Sequence, residues 1–275
     1  MFIWLASYPK SGNTLIRSTI SAYFFSKDGN FNFELIKNIK QFPSKELFEK
    51  FGYDPNNTEE TIKNYIKIQE NINKKNSVQF LKTHSYLFNI NNHAFTDLKN
   101  SLGVVYIVRD PRNVVTSWAN HNSSSVEDAA DYLIYKTQMG DDSKVFHGTW
   151  GGNYQSWKSF QYQDRYLLIK YEDLISNKKL TFIKILEFVA KLNKTKISID
   201  HSKIDKIIES TDFKKMKEIE KNKGFFEAAK HRETKDKVTF FNKGPENNWK
   251  KLLDEKIRNK IEASFNKEMK ELNYL

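Results

Sequence analysis

The string SYPKSGNT at residues 7–14 sets small and polar residues, with one lysine, between an apolar run and a helical pattern. Such a loop carries a chain from a buried strand into a helix N-terminus, where free backbone N–H groups and the positive end of the helix dipole converge. That arrangement cradles an anion, phosphate groups above all. Laid against the pattern G-x-x-x-x-G-K-[ST], Ser7 falls on the first glycine and Asn13 on the lysine. The usual contact to a nucleotide γ-phosphate is therefore missing, while Lys10 stands in the middle of the loop. Arg109 closes a second apolar run, and its guanidinium fork can donate two parallel hydrogen bonds to a phosphate. A strand-end ion pair accounts for Arg109 equally well, and the next residue, Asp110, has the place of a Walker-B magnesium ligand. His84 follows a third such run; an imidazole with an ordinary pKa of about 6.5 suits a general base near neutrality, and a hydrogen-bonded strand-end histidine is the alternative.

These residues need elements to hold them. Apolar runs at 2–7, 78–83, 104–108 and 166–170 read as strands. Residues 14–25 place Leu15, Ile16, Ile20, Tyr23 and Phe24 at helical spacing, and Asp110 and Pro111 form a start signal for a helix over 111–120. Further helices are expected over 126–139, 154–160, 178–192, 204–209 and 213–221, with a C-terminal helix from Trp249. Between the first two strands lies a polar, largely helical insertion reaching Lys75. This alternation predicts an α/β fold, a single P-loop-like domain over 1–275 whose central parallel sheet carries helices on both faces. Ligands of such sheets sit at the carboxyl ends of the strands, and Lys10, His84 and Arg109 all follow strands directly. Residues 221–242 are polar, contain Gly224 and Phe225-Phe226, and read as a mobile lid.

A chain of 275 residues can bury one large core, and nothing forces a second domain. Lys+Arg 45 against Asp+Glu 34 leaves a net charge of +11, a surface that attracts polyanions, nucleic acid included. The lysines are scattered rather than striped, which reads as solvated faces. Without cysteine there are no disulfides or thiolate metal sites, in keeping with a reducing compartment. No apolar run approaches the ~20 residues a membrane span needs, so a cytoplasmic location is expected. His93, His121, His147, His201 and His231 form no metal pattern such as H-E-x-x-H and read as surface or core residues, as do Trp150 and Trp157 as core.

The loop YPKSGNT resembles the 5′-phosphosulfate loop of sulfotransferases that use 3′-phosphoadenosine 5′-phosphosulfate (PAPS), in a cytosolic-type, bacterial-like form. Five other segments match that family in order. Arg109 and Ser117, eight residues apart, occupy its 3′-phosphate positions; KTH at 82–84 matches the motif that supplies a catalytic histidine; YEDL at 171–174 supplies a tyrosine, Tyr171, near the adenine. STDFKKM at 210–216 is similar to the adenine segment, giving Thr211 and Phe213 that role, and KGPENNW at 243–249 is similar to the closing segment, with Lys243 and Gly244 on the 3′-phosphate. Departures are Leu15 in place of a stacking tryptophan, Asn242 in place of an arginine, and Asn247 in place of a glycine. The segment GTWGGNYQSW at 148–157 resembles one near the acceptor pocket, with Asn153 in a histidine position and Gly151 and Gly152 where bulkier residues are usual, which points to a more polar acceptor.

The resemblance implies a PAPS-dependent sulfotransferase acting on a hydroxyl or amine of a small-molecule acceptor. His84 would be the general base, with Lys10 and Lys82 stabilising the leaving and transferring groups. Backbone N–H groups of Ser11, Gly12, Asn13 and Thr14, with the Ser11 and Thr14 hydroxyls, would hold the 5′-phosphate, and no metal would be required. Neither nucleic acid nor a membrane span is expected as a partner, and the oligomeric state is left open. Two other readings remain: a nucleotide-dependent kinase of small molecules, and a basic nucleic-acid-binding protein with a degenerate P-loop.

Overall fold

All residues of the first strand are buried, and its side chains alternate between two cores. Phe2, Trp4 and Ala6 enter one, Ile3 and Leu5 the other, as the two-residue repeat of a strand requires. A strand apolar on both faces has to be covered on both, and that sets the architecture. The computed structural model describes residues 1–74, 77–136, 145–229, 231, 234 and 236–275.

In chain order the first elements are β1 (Phe2–Ser7), α1 (Asn13–Phe25), α2 (Phe33–Ile36), β2 (Lys40–Gln41), α3 (Lys45–Lys50), α4 (Thr58–Asn73) and β3 (Gln79–Thr83). A small hairpin follows, β4 (Asn89–Ile90) and β5 (His93–Ala94), then β6 (Ser101–Val108), α5 (Pro111–Asn122), α6 (Val126–Tyr135) and α7 (Trp150–Trp157). The last strand, β7 (Tyr166–Lys170), runs into α8 (Tyr171–Ser176), α9 (Lys178–Asn193), α10 (His201–Ser210) and α11 (Phe213–Lys223). Three short helices, α12 (Trp249–Leu252), α13 (Glu255–Ser264) and α14 (Asn266–Glu271), end the chain.

Five strands form the sheet in the order β2-β3-β1-β6-β7, every pair parallel. Ile16 and Ile20 of α1 and Ile185 and Leu186 of α9 cover one face; Tyr65 of α4, Val114 of α5 and Ile261 of α13 cover the other. The α/β fold with helices on both faces is therefore as the sequence implies. The strand order reverses at β1, with β3 on one side and β6 on the other, so the carboxyl end of β1 opens on a crevice where ligands of such sheets bind.

Several boundaries differ from expectation. The insertion supplies β2, an edge strand of two residues too short to show alternation, and its end at Lys75 lies outside the described residues. The helix expected over 126–139 ends at Tyr135, and 137–139 lie outside the described residues. The helix expected at 154–160 begins at Trp150, because the Thr149 hydroxyl caps it by accepting from the Gly152 N–H, and it tightens into a 3-10 turn over Lys158–Gln163. The single C-terminal helix is broken where Asp254 caps α13. The YEDL segment, unassigned by periodicity, is the start of α8.

A hydrogen-bonded chain crosses the aromatic core beneath the sheet. Trp4 Nε1 donates to Ser101 Oγ at 2.7 Å, which pairs with Thr96 Oγ1 at 2.7 Å, and that hydroxyl donates to Gln69 Oε1 at 2.5 Å. Around it the Trp4 ring lies 5.5–6.0 Å from Phe95, Phe42 and Trp157. Trp4→Phe keeps an aromatic ring but leaves Ser101 without its donor. The expected cost is about 1–3 kcal/mol, read as a lower urea midpoint at unchanged slope; an unaltered midpoint would show the chain to be energetically idle.

Candidate functional site

The loop between β1 and α1 is held by side chains so that its backbone can stay open. Asn13 donates from Nδ2 to the Leu5 carbonyl at 2.8 Å and to Ser7 Oγ at 3.2 Å, pinning the first residue of α1 back onto β1. The residue standing where a Walker lysine would be is therefore a staple. Gly12 turns the chain with φ +102°, and a Cβ there would lie 2.5 Å from the Tyr171 ring, so only glycine fits. Among the described residues, the backbone N–H groups of Lys10 through Thr14 have no hydrogen-bond partner. Those donors sit at the N-terminus of α1, the geometry that favours an anion.

The loop forms one wall of a cavity of about 610 Å³ that gathers nearly all the residues singled out from the sequence. Lys10, Gly12, Asn13, Thr14, Lys82, His84, Arg109, Ser117, Tyr171, Thr211, Phe213, Lys243 and Gly244 all line it. Ser11 does not: it is fully buried and its hydroxyl has no partner among the described residues, which leaves its backbone N–H as its offering.

At one end Arg109 is buried with its guanidinium 4.1 Å above the Tyr171 ring. Its Nη1 donates to the Lys10 carbonyl at 3.4 Å and its Nη2 to the Gly244 carbonyl at 3.2 Å, while Nε has no partner among the described residues. Arg109 thus ties the loop to the C-terminal segment instead of making a strand-end ion pair. Asp110 is spent on Arg112, whose Nη2 it meets at 2.7 Å, so its carboxylate is committed to capping α5. Gly244 lies against Phe213, where a Cβ would come within 2.1 Å of the ring. Asn247 is buried and clamps α5: its Nδ2 donates to the Asn113 carbonyl at 2.8 Å and its Oδ1 accepts from Thr116 at 2.9 Å. Asn242 donates to Asn120 Oδ1 at 2.7 Å. The Thr211 hydroxyl is used on the Ile207 carbonyl at 2.6 Å, and Lys178 Nζ caps the end of α10 through the Thr211 carbonyl at 2.7 Å. Lys243 is exposed at the rim.

At the other end stands His84. Its Nδ1 lies 2.9 Å from the Ser7 carbonyl, an atom that can only accept, so Nδ1 carries the proton and Nε2 keeps its lone pair. Burial, helped by the Lys82 charge, holds the imidazole well below its ordinary pKa, so it is neutral through the physiological range. Burial also lowers Lys10 and Lys82 to about 8 each; Lys10 is further lowered by Lys82 and Arg109. The Lys10 ammonium lies 4.1 Å from the Phe240 ring centroid.

Several wall residues carried no sequence signal. Burial and the Lys82 charge hold His147 at about 4; its Nδ1 lies 2.9 Å from the Tyr132 hydroxyl, and its ring 6.5 Å from that of His84. His121 is held at about 3 for the same reason plus the Lys10 charge. Asn153 is fully buried and donates to the carbonyls of both His84 (3.0 Å) and His147 (2.7 Å), holding the backbone of two histidines with one amide. Glu227, from the segment expected to be a lid, reaches Lys82 and Arg17. Within that segment residues 230, 232, 233 and 235 lie outside the described residues, and Phe225 and Phe241 are buried rather than polar surface. Histidines and glutamates far apart in sequence show no spacing that would gather them. Only the glycine-rich string around Gly148 hinted at this wall.

Among the described residues, no group of three or more His, Cys, Asp or Glu is placed to hold a metal ion, and no helix is long and apolar enough to cross a membrane. Donors without a partner among the described residues include the loop N–H groups and Arg109 Nε, both suited to phosphate.

A family model described as a sulfotransferase domain matches residues 2–273. Sulfotransferase 2A6 of Mus musculus is 27% identical over 151 residues, covering 54% of this chain and 49% of that protein. Sulfotransferase 1E1 of Mus musculus is 22% identical over 278 residues, covering 97% of this chain and 83% of that protein. The chain thus spans about half the length of sulfotransferase 2A6 and of the rat sulfotransferase 1A1, of which 48% is matched. Mouse sulfotransferase SULT7A1, solved with PAP, has a TM-score of 0.59 at 21% identity over 97% of this chain and 83% of its own. Retinol dehydratase, solved with androsterone and inactive cofactor PAP, has a TM-score of 0.62 at 18% identity over 98% of this chain and 80% of its own. At those identities the structures share the fold, while the family match runs almost end to end: the chain belongs to the sulfotransferase family.

Proposed function

We propose that the chain transfers a sulfuryl group from PAPS to a hydroxyl or amine of a small-molecule acceptor, with His84 as general base. The carrying observation is the fixed tautomer of His84, whose bare Nε2 belongs to the same cavity wall as the open N–H groups of the loop. The family supports the reaction class, and the PAP in two solved relatives supports the donor.

When bound, PAPS supplies the sulfuryl group and a phosphate leaving group. The loop N–H groups of Lys10 to Thr14 hold the 5′-phosphate end, and Arg109 with Ser117 holds the 3′-phosphate. The uncommitted Arg109 Nε fits that task. Tyr171, Thr211 and Phe213 wall the adenine, with Leu15 and Met216 adding apolar surface where a stacking tryptophan is missing. Lys243 and Gly244 close the 3′-phosphate side. His84 Nε2 takes the acceptor proton as the acceptor atom bonds to sulfur and the bond from sulfur to the bridging phosphate oxygen breaks. The products are the sulfated acceptor and 3′-phosphoadenosine 5′-phosphate (PAP). Lys10 and Lys82 offset the charge that grows on the bridging and sulfuryl oxygens, an electrostatic role.

Calorimetric titration with PAP, against ATP with magnesium and against an oligonucleotide, tests the donor assignment. Micromolar, metal-independent binding of PAP is expected; preference for magnesium–ATP would make the protein a kinase, and salt-sensitive oligonucleotide binding alone would make it a nucleic-acid binder.

Three further outcomes follow from the geometry. His84→Ala is expected to lose about 10²–10⁴-fold in kcat while PAP affinity holds; full turnover would remove His84 from the reaction. Arg109→Ala is expected to weaken PAP by about tenfold to a hundredfold and its counterpart without the 3′-phosphate much less; equal losses would refute the contact. In the free enzyme His84 is neutral below its ordinary 6.5, and the two lysines keep their protons below about 8. The kcat/KM for donor should therefore stay flat through mild acid and fall above about 8, as Lys10 and Lys82 deprotonate. An acid limb near 6.5 would mean an ordinary, solvated imidazole.

A further inference from the structure

Three charges from three distant parts of the chain meet beside the cavity. Glu227 Oε1 lies 2.6 Å from Arg17 Nη1, and Glu227 Oε2 lies 3.3 Å from Lys82 Nζ. Arg17, on α1, is only 2% exposed and also donates from Nη2 to the Ile39 carbonyl at 3.0 Å. Glu227 does not dangle. Two residues before it Phe225 is buried against Phe33 and Phe240, and Glu220 accepts from the N–H groups of Phe240 and Phe241 at 2.7 and 2.9 Å, closing the segment on itself.

We propose that Glu227, braced by Arg17, is a positioning residue for Lys82: it holds the ammonium in place and in its cationic form at the cavity wall. Burial works against a charged Lys82, and the Glu227 carboxylate is what works for it. Burial would likewise raise Glu227, but Lys82 and Arg17 outweigh it and keep the carboxylate at about 2. Arg17 helps to hold Glu227 ionised, and Glu227 holds Lys82 ionised. One ammonium N–H is spent on the carboxylate, and two remain for an oxygen in the cavity. A bare structural role fits less well, because apolar side chains of similar volume would often be as stable as a buried ionic trio.

The other titratable or charged groups around Lys82 are Arg17 of α1, Lys10 of the loop, His84 at the end of its own strand, His147 before α7 and His121 on α5. The three imidazoles are neutral near pH 7, and Lys10 and Arg17 repel the ammonium, so Glu227 is the anion paired with Lys82 among the described residues.

The test reads Lys82 directly in the whole protein. Acetic anhydride labels neutral amines, and mass spectrometry over a pH series gives the labelling midpoint of each lysine. In the wild type Lys82 should have its midpoint at about 8. In Glu227→Gln it should fall by about one unit, with Lys10 moving less, and Glu227→Asp should restore most of it. Arg17→Met, which leaves the carboxylate unbraced, should lower it part-way, and serves equally if the Gln variant does not fold. An unmoved Lys82 midpoint in either variant overturns the proposal. The consequence for turnover rests on the sulfotransfer reading: Glu227→Gln should lower kcat about tenfold at steady PAP affinity, with no further loss in a Lys82→Met background. Additive losses would mean that Glu227 acts elsewhere and overturn the proposal. A shifted midpoint in a protein that binds no PAP and transfers nothing would instead sink the sulfotransfer reading and leave the positioning role standing.

Discussion

Uncompensated positive charge in a buried cavity is the constraint on which this structure turns. Lys10, Lys82, Arg109, Lys178 and Lys243 line it against Glu227 and Asp212. Taking cations out of water is costly, and the chain meets the cost in different ways at the buried positions, while Lys243 stays exposed at the rim. Arg109 is stacked on Tyr171 and tied to two carbonyls, Lys178 is spent on the end of α10, and Lys10 rests on Phe240. What remains is a deficit of negative charge beside a row of open N–H groups, and a polyanion is the ligand that relieves both at once.

That constraint explains which parts of the molecule could be read from sequence. Strands and the loop were legible because a strand buried on both faces has to be apolar throughout and an anion loop has to be small and polar, so Phe2 to Thr14 carry their structure in their residue types. Arg109 and His84 were legible as strand-end residues, since a parallel sheet delivers such residues to one edge. The wall built by Glu227, His147 and His121 was not. Each meets the site through tertiary packing between elements up to 210 residues apart, and no local period records such a meeting. The segment 221–242 reads as polar from its residue types, while Phe225 and Phe241 are buried among other rings.

The departures from the family's wording have physical answers in the packing. Asn247, standing for a glycine, is a two-ended clamp on α5, and Asn242, standing for an arginine, bonds Asn120 on the same helix. Both fasten the C-terminal segment to the helix that follows Arg109. Between these two fastenings lies Gly244, whose carbonyl Arg109 holds.

The acceptor end follows from the same electrostatics. A buried histidine beside a lysine is a poor base on its own, because whatever keeps it neutral also disfavours the imidazolium it must become. Its lone pair is always available, but proton transfer to it is uphill. On the proposed reading the donor brings several negative charges into the cavity next to Lys10 and Lys82, and these offset the repulsion that Lys82 exerts on His84. The base therefore strengthens when the donor is seated and not before. With Asn153 fixing the backbone on both sides and Ser7 fixing the tautomer, the imidazole has no need to move for this to happen. On that reading, preorganised geometry with ligand-dependent basicity couples proton removal to donor occupancy through charge alone.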